Sequence, residues 1–155
     1  AHPLAQEFER VADFLALMQI RMGERLQISL QLPPEMASVP VPPLILQALV
    51  ENAIKHGLEP KRGPGHLQVI ASRSSDGLEI RVVDDGVGLN QSSATQGTQF
   101  GVNQVRDRLI NIYGGKAFFE LKTNDQNQTE ALLRLPLDVD ITSHATAAQT
   151  MESSC

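Results

Sequence analysis

Apolar residues recur at three- and four-residue steps from Leu4 to Leu26. Phe8, Val11, Ala12, Leu15, Met18 and Met22 fall on one side, with Glu7, Arg10, Asp13 and Arg21 mostly elsewhere. That period predicts an amphipathic helix. The period then drops to two: "LQISLQL" (Leu26–Leu32) alternates apolar and polar positions as a half-buried strand does, and Pro33 and Pro34 end it. The stretch through Pro43 is proline-rich and reads as a connector. From Pro42 to Gly57 the helical step returns, with Ile45, Leu46, Leu49, Val50 and Ala53 as its core face. Pro42 and Pro43 suit a first turn and Gly57 suits an end.

Strands are predicted at His66–Ser74 and Leu78–Asp85, on either side of the hairpin signal Asp76-Gly77. Gly86 to Gln99 is polar and without period. It reads as a loop near the length at which loops carry function. Val102, Val105, Leu109 and Ile112 mark a third helix over Phe100–Gly115, stopped by Gly114 and Gly115. "KAFFELKT" and "EALLRLPL" form two more strands around the polar turn "NDQNQ". Asp138 to Cys155 is small, polar and unpatterned, and reads as a disordered tail. Helices mixed with hairpins in this order predict an α/β two-layer sandwich: a mixed, largely antiparallel sheet covered on one face by about three helices. They do not suit a doubly wound parallel sheet.

Composition narrows the partners. The 155 residues suit one domain with a real core. The formal net charge is −5 and no Lys/Arg block appears, so nucleic acid and anionic membrane are poor candidates. The single cysteine is Cys155, which excludes an intrachain disulfide and a cysteine zinc site and fits a reducing compartment. No apolar run approaches a membrane span, and no signal peptide is visible. The chain begins at Ala1 without a methionine and reads as a piece of something longer.

Three stretches could carry chemistry. In "VENAIKHGLEP" (Val50–Pro60), an α-helical wheel puts Asn52, Lys55 and His56 on one face, Glu51 at its margin and the apolar stripe opposite. An Asn oxygen can bind Mg²⁺, a Lys can neutralise a phosphate, and a Glu can polarise an attacking hydroxyl, water or imidazole. The plain alternative is the solvated side of an amphipathic helix. In "VVDDGVGL" (Val82–Leu89), Asp84, Gly86 and Gly88 form a D-x-G-x-G pattern at a strand end. The carboxylate could accept from the exocyclic amine of a purine, and the glycines let backbone approach a flat ring. The alternative is an ordinary Asp-Gly turn, although a long polar stretch follows rather than a returning strand. In "GTQFG" (Gly97–Gly101), glycines flank a helix start, which can seat phosphate, or can be a flexible linker.

Taken in order, these stretches resemble the GHKL ATP-binding domain, the Bergerat fold, of bacterial sensor histidine kinases, most nearly the LytS/YehU type. "PPLILQALVENAIKHGLEP" is similar to the N-box, "VVDDGVGL" to the G1 box and "GTQFGVNQVRDRL" to the G2 box; "LAQEFERVADFLALMQIRMGERL" resembles the segment before the N-box. The resemblance covers roughly residues 4–137. It implies a helix leading from a dimerisation region over 1–26, an ATP-binding catalytic domain over 27–137 and a tail over 138–155. It implies that Asn52 holds the Mg²⁺ of ATP, that Glu51 serves catalysis, and that Lys55 and His56 face phosphates. Asp84 would bind the adenine amine, Gly86 and Gly88 would shape the pocket, Gly97 and Gly101 would frame the phosphate end, and Gly86–Gln99 would be the ATP lid.

Two departures stand out. Gln99 and Gln104 replace the glycine and asparagine usual in the G2 box, and Gln99 could crowd the phosphates. No H-box with a phosphoacceptor histidine is present: His2, His66 and His144 lack its context. The implied activity is transfer of the ATP γ-phosphoryl group to a histidine on a separate dimerisation domain. A response regulator would act downstream, and the homodimer would belong to the full-length protein. The location would be cytoplasmic, in a bacterial, membrane-anchored parent. The alternatives are a catalytically silent nucleotide-binding or interaction module, or another GHKL ATPase.

Overall fold

The computed structural model describes residues 1–75, 77–89 and 92–137, with only the backbone described over 92–100. A two-residue strand β1 (His2–Pro3) opens into α1 (Leu4–Met22). A 3₁₀ turn (Gly23–Arg25) leads to β2 (Leu26–Gln31), and a second (Pro34–Met36) to the short β3 (Pro40–Val41). Next come α2 (Ile45–Asn52), a π-helix (Ala53–Leu58), the strands β4 (Gly65–Ser74) and β5 (Gly77–Asp84), α3 (Ser92–Tyr113), β6 (Phe118–Thr123) and β7 (Thr129–Pro136).

The main sheet has the order β2-β4-β5-β7-β6. β2 and β4 run parallel, and every other neighbouring pair is antiparallel. Strand alternation sorts its two faces. Leu67, Val69 and Ala71 of β4, Leu78, Ile80 and Val82 of β5, and Ala131, Leu133 and Leu135 of β7 join one core with Phe8, Val11 and Leu15 of α1, Leu46, Leu49 and Val50 of α2, and Val105 and Leu109 of α3. The other face mixes polar residues with Ile70, Val83 and Leu132. Glu79 stands opposite Arg134 across β5 and β7 and pairs with it at 3.1 Å, and that guanidinium lies 5.4 Å over the Phe118 ring. This is the expected two-layer α/β sandwich with a mixed, largely antiparallel sheet.

The differences lie at element ends. The first helix stops at Met22, where Gly23 takes φ +71° and its N–H caps on Gln19 O, rather than running to Leu26. Pro42 and Pro43 precede α2 instead of opening it, because Leu44 adopts a left-handed φ of 68° before the first helical residue. The third helix begins at Ser92, so most of the stretch expected to be a loop over 86–99 is helical. Periodicity could not reveal this, because a helix segment with Ala94 as its one apolar residue carries no apolar period. The small sheet of β1 and β3 is too short for any period. The expected disordered tail over 138–155, and Asp76 of the hairpin signal, lie outside the described residues.

One buried charge ties α1 to α2. Glu7 is fully buried. One carboxylate oxygen pairs with His2 Nε2 at 2.7 Å, and the other accepts from the Gln47 N–H in the first turn of α2 at 3.3 Å. That N–H has no partner within its own helix, so the carboxylate supplies one and meets the positive end of the helix dipole. Glu7→Ala would leave the Gln47 N–H and the His2 ring without their acceptor inside the fold. The expected loss is about 1–3 kcal/mol of unfolding free energy, read from urea titration.

Candidate functional site

The site forms where the helix after Leu44 passes over the ends of β5 and β7. The core stripe of α2 holds Leu49 and Val50 against the sheet. At Ala53 the helix widens into its π turn, with Glu59 N–H reaching back to Ile54 O at 2.8 Å. Such turns recur at functional sites. A π turn advances each residue through a smaller angle than an α turn. Positions four apart then align, and positions three apart fall short. Asn52 and His56 accordingly both line the cleft, while Lys55 is exposed. The α-helical wheel grouped Lys55 with them, and the π geometry separates it.

Gly57 is the point of closest approach. A Cβ there would lie 2.5 Å from Asp84 Oδ1. A Cβ on Gly86 would overlap the Gly57 backbone, and the Val87 N–H donates to Gly57 O at 2.9 Å. Helix and strand end thus meet backbone to backbone, which only glycine permits. Gly88 has φ +89°, where a side chain would be strained, and it lines the same cleft. Gly101 faces Asn52: a Cβ on it would stand 3.0 Å from Asn52 Oδ1. Gly97 lies within α3, where only the backbone is described. Glu51 is exposed, outside the cleft lining, and accepts from Gln47 Nε2 at 3.1 Å.

The cleft has about 440 Å³ of space, counted to its open mouth. Leu49, Ala53, Val82, Val102, Leu121 and Ala131 give it apolar walls. Asp84 lies at its floor, only 3% exposed and on the helix-facing side of β5. Burial pushes its carboxyl up to about 6; the Gly86 N–H, donating to Oδ1 at 3.0 Å, works the other way, and so does Lys61, while Asp85 adds to the rise. His56 is shifted down, first by burial and then by the Lys55 charge, and so is neutral at neutral pH. The stretch makes a local turn, with the Gly86 N–H on Asp84 Oδ1, and the same carboxylate lines a cleft with apolar walls.

Sequence reasoning missed two groups. Thr129 pairs in register with Asp84 and lines the cleft beside it. Nothing in its local sequence marks it, because it is placed by the β5–β7 register. Asp85, His66 and Lys61 form a second cluster. The Asp85 carboxylate accepts from the His66 N–H at 2.7 Å and pairs with His66 Nδ1 at 2.6 Å, and Lys61 Nζ donates to Asp85 O at 2.8 Å. Burial opposes ionisation of Asp85, but the His66 hydrogen bonds and the Lys61 charge outweigh it and hold the pKa down. The two adjacent aspartates therefore differ: one is kept ionised by donors, the other is made costly to ionise by burial.

Among the described residues, no group of three His, Cys, Asp or Glu could hold a metal by itself, and no helix is long and apolar enough to cross a membrane. The residues do fit a cation shared with phosphates. Asn52 Oδ1 is half-buried at the cleft wall, and Gly101 leaves open the space a side chain would fill. Mg²⁺ commonly takes one or two protein oxygens beside phosphate oxygens.

Residues 43–139 match the family model described as histidine kinase-, DNA gyrase B-, and HSP90-like ATPase. The chain is 32% identical over 133 residues to the sensor histidine kinase BtsS of Escherichia coli K12, covering 86% of this chain and 23% of that protein. It is 27% identical over 146 residues to the sensor protein LytS of Enterococcus faecalis V583, covering 88% of this chain and 25% of that protein. The chain thus spans about a quarter of the length of these relatives. Its fold is similar to the histidine kinase domain of the Erythrobacter litoralis EL346 blue-light activated histidine kinase, with TM-score 0.68, 22% identity and coverage of 90% of this chain and 64% of that one. It is also similar to the catalytic domain of histidine kinase ThkA, with TM-score 0.65, 12% identity and coverage of 86% and 92%.

Asp84 gives a test of the floor. Its pKa is raised in the fold, so the ionised form destabilises the native state. That penalty is absent below the unfolded value near 4, grows as pH rises through about 6, and is complete above it. Asp84→Asn should therefore stabilise the protein by roughly 1–3 kcal/mol at pH 7.5 and change it little at pH 4, as read from urea unfolding at both pH values. A gain of equal size at both pH values would contradict burial as the cause.

Proposed function

Because the chain belongs to the histidine kinase-, DNA gyrase B-, and HSP90-like ATPase family, we propose that it is the ATP-binding catalytic part of a two-component sensor histidine kinase. It would transfer the γ-phosphoryl group of ATP to a histidine on a separate dimerisation domain. The observation that carries this reading is the buried Asp84 carboxylate at the floor of an apolar cleft, with Asn52 and His56 on its wall.

Each role rests on that geometry or on the matched motifs. The adenine amine would donate to Asp84, with Thr129 beside it and the apolar walls on the ring faces. Gly86 and Gly88 would keep the floor low enough for a ring to enter. Gly97 and Gly101 would frame the phosphate end. His56, neutral at neutral pH, would hydrogen-bond phosphate without adding charge. Lys55 would meet phosphate only from outside the lining. Asn52 would hold Mg²⁺, which when bound neutralises charge on the transferring group.

Glu51 would accept the proton from the N–H of the incoming imidazole and release it to solvent, while the opposite ring nitrogen attacks phosphorus. The P–N bond forms as the bond to the β–γ bridging oxygen breaks, and ADP leaves. The exposure of Glu51 suits this role, because its acceptor arrives from outside the cleft. A response regulator would take the phosphoryl group onward. The whole protein would be a homodimer with this part on the cytoplasmic side. The hydrogen bond from Gln47 Nε2 to Glu51 Oε1 favours a second reading. With Glu51 held by Gln47 outside the cleft, the chain would bind nucleotide without transferring phosphate.

The deciding assay uses labelled ATP. This chain alone should bind ATP and not label itself, because it has no H-box. With its own dimerisation helices supplied, it should produce acid-labile, alkali-stable phosphate on their histidine. Glu51→Ala should slow that transfer by roughly 10²-fold with little change in ATP affinity, as expected for loss of a base. Tight ATP binding without transfer, given competent helices, would establish the silent module instead.

A further inference from the structure

The segment that follows the π turn, residues 59–64, has no regular structure, yet it borders the cleft floor. Its carbonyls converge on one side chain. Arg25, in the turn between α1 and β2, donates from Nη1 to Lys61 O at 3.0 Å, to Leu58 O at 3.3 Å and, at the limit of reach, to Gly63 O at 3.5 Å; Nη2 donates to Glu59 O at 3.4 Å. The last carbonyls of any helix lack intrahelical partners, and a planar fork of donors suits several at once. Arg21 adds an exposed pair with Glu59 at 3.1 Å.

The gathered segment has its own grip on the floor. Lys61, whose carbonyl Arg25 holds most closely, sends its Nζ to Asp85 O at 2.8 Å and lies 3.5 Å from Asp85 Oδ1. Asp85 is the residue next to Asp84. On the other side, Gly57 is one residue before Leu58 and takes the Val87 N–H at 2.9 Å. Both edges of the Asp84–Gly88 turn therefore lean on backbone that Arg25 fixes.

We propose that Arg25 is a positioning residue for the adenine-binding floor. By holding the carbonyls after the π turn it sets Lys61 against Asp85 and Gly57 against Asp84. This rests on the nucleotide reading of the cleft, since the floor matters to function only if a base sits there. Arg25 is not one of the residues that line the cleft. Its effect falls on the base end, not on the phosphate end at Asn52 and Gly101.

That asymmetry separates positioning from mere stabilisation. ATP and inorganic triphosphate are each titrated, with Mg²⁺, into the wild-type chain, Arg25→Ala, Arg25→Lys, Lys61→Met and the Arg25→Ala/Lys61→Met double variant. Arg25→Ala is expected to weaken ATP about five- to tenfold, the size of a hydrogen-bond loss, and to leave triphosphate unchanged. Arg25→Lys keeps the charge but lacks the fork, so it should recover only part of the loss. Lys61→Met should reproduce much of it, and the double variant should fall short of the product of the two singles, because both act along one path.

Parallel weakening of ATP and triphosphate, or fully multiplicative losses, would overturn the proposal. Should Arg25→Ala not fold, Arg25→Lys and Lys61→Met carry the same comparison. Amide exchange without ligand keeps the two readings apart. Val87 and His66, whose N–H groups bond Gly57 O and Asp85 Oδ1, should exchange faster in Arg25→Lys than in wild type. Faster exchange in Arg25→Lys, together with a wild-type chain that binds no ATP, would overturn the nucleotide reading and leave only the mechanical link. Unchanged exchange in a chain that binds ATP would overturn the role of Arg25 alone.

Discussion

The contact between Gly57 and the end of β5 is the constraint on which the rest of the site depends. A helix and a strand can share a cleft only if their backbones come close, and here the missing side chains at Gly57 and Gly86 allow it. The π turn is part of the same solution. It moves Gly57 onto the strand end and brings His56 into line with Asn52, so one local widening sets both the floor and the wall. An alanine at Gly57 would drive its methyl into the Asp84 carboxylate.

Burial at this contact also sets a tension. The apolar walls that could hold a ring remove water from Asp84 and raise its pKa to about 6. A carboxylate in that position weakens the fold that contains it, with the Gly86 N–H offsetting part of the cost, and in the proposed function a ligand donor would offset more. Asp85, one residue on, is the counterpart: its carboxylate is held by the protein's own His66 and Lys61. Alternation along a strand puts the two carboxylates on opposite faces, so adjacent identical residues do opposite work.

Much of the fold could be read from period alone. The three helices and the five main strands follow from three-to-four and two-residue repeats of Leu, Ile and Val, because those repeats are what build the core. The ends did not follow. Leu44 in a left-handed conformation and the π turn at Ala53 are set by tertiary packing, which local propensity does not report. That Asn52, Asp84 and Gly88 gather at one cleft could be anticipated because they lie in short local motifs. Thr129, Arg25 and Lys61 were not, because each reaches the site only through strand register or through carbonyls distant in sequence. The grouping of Lys55 with Asn52 failed because a wheel assumes an α-helical step.

The parallel pairing of β2 with β4 spans a long stretch of chain. Leu26 to Gln31 of β2 pair with Gly65 to Ile70 of β4, so this one pairing closes a loop that contains β3, α2 and the π turn. The remaining strand pairs are antiparallel, and two of them join neighbours in sequence. Closing a long loop costs chain entropy before any contact offsets it. The hairpins can form early and cheaply. The helix that bears Asn52 and His56 lies inside that closed loop, and the cleft beside it also needs the longer-range pairing of β5 with β7, so wall and floor each rest on a contact distant in sequence.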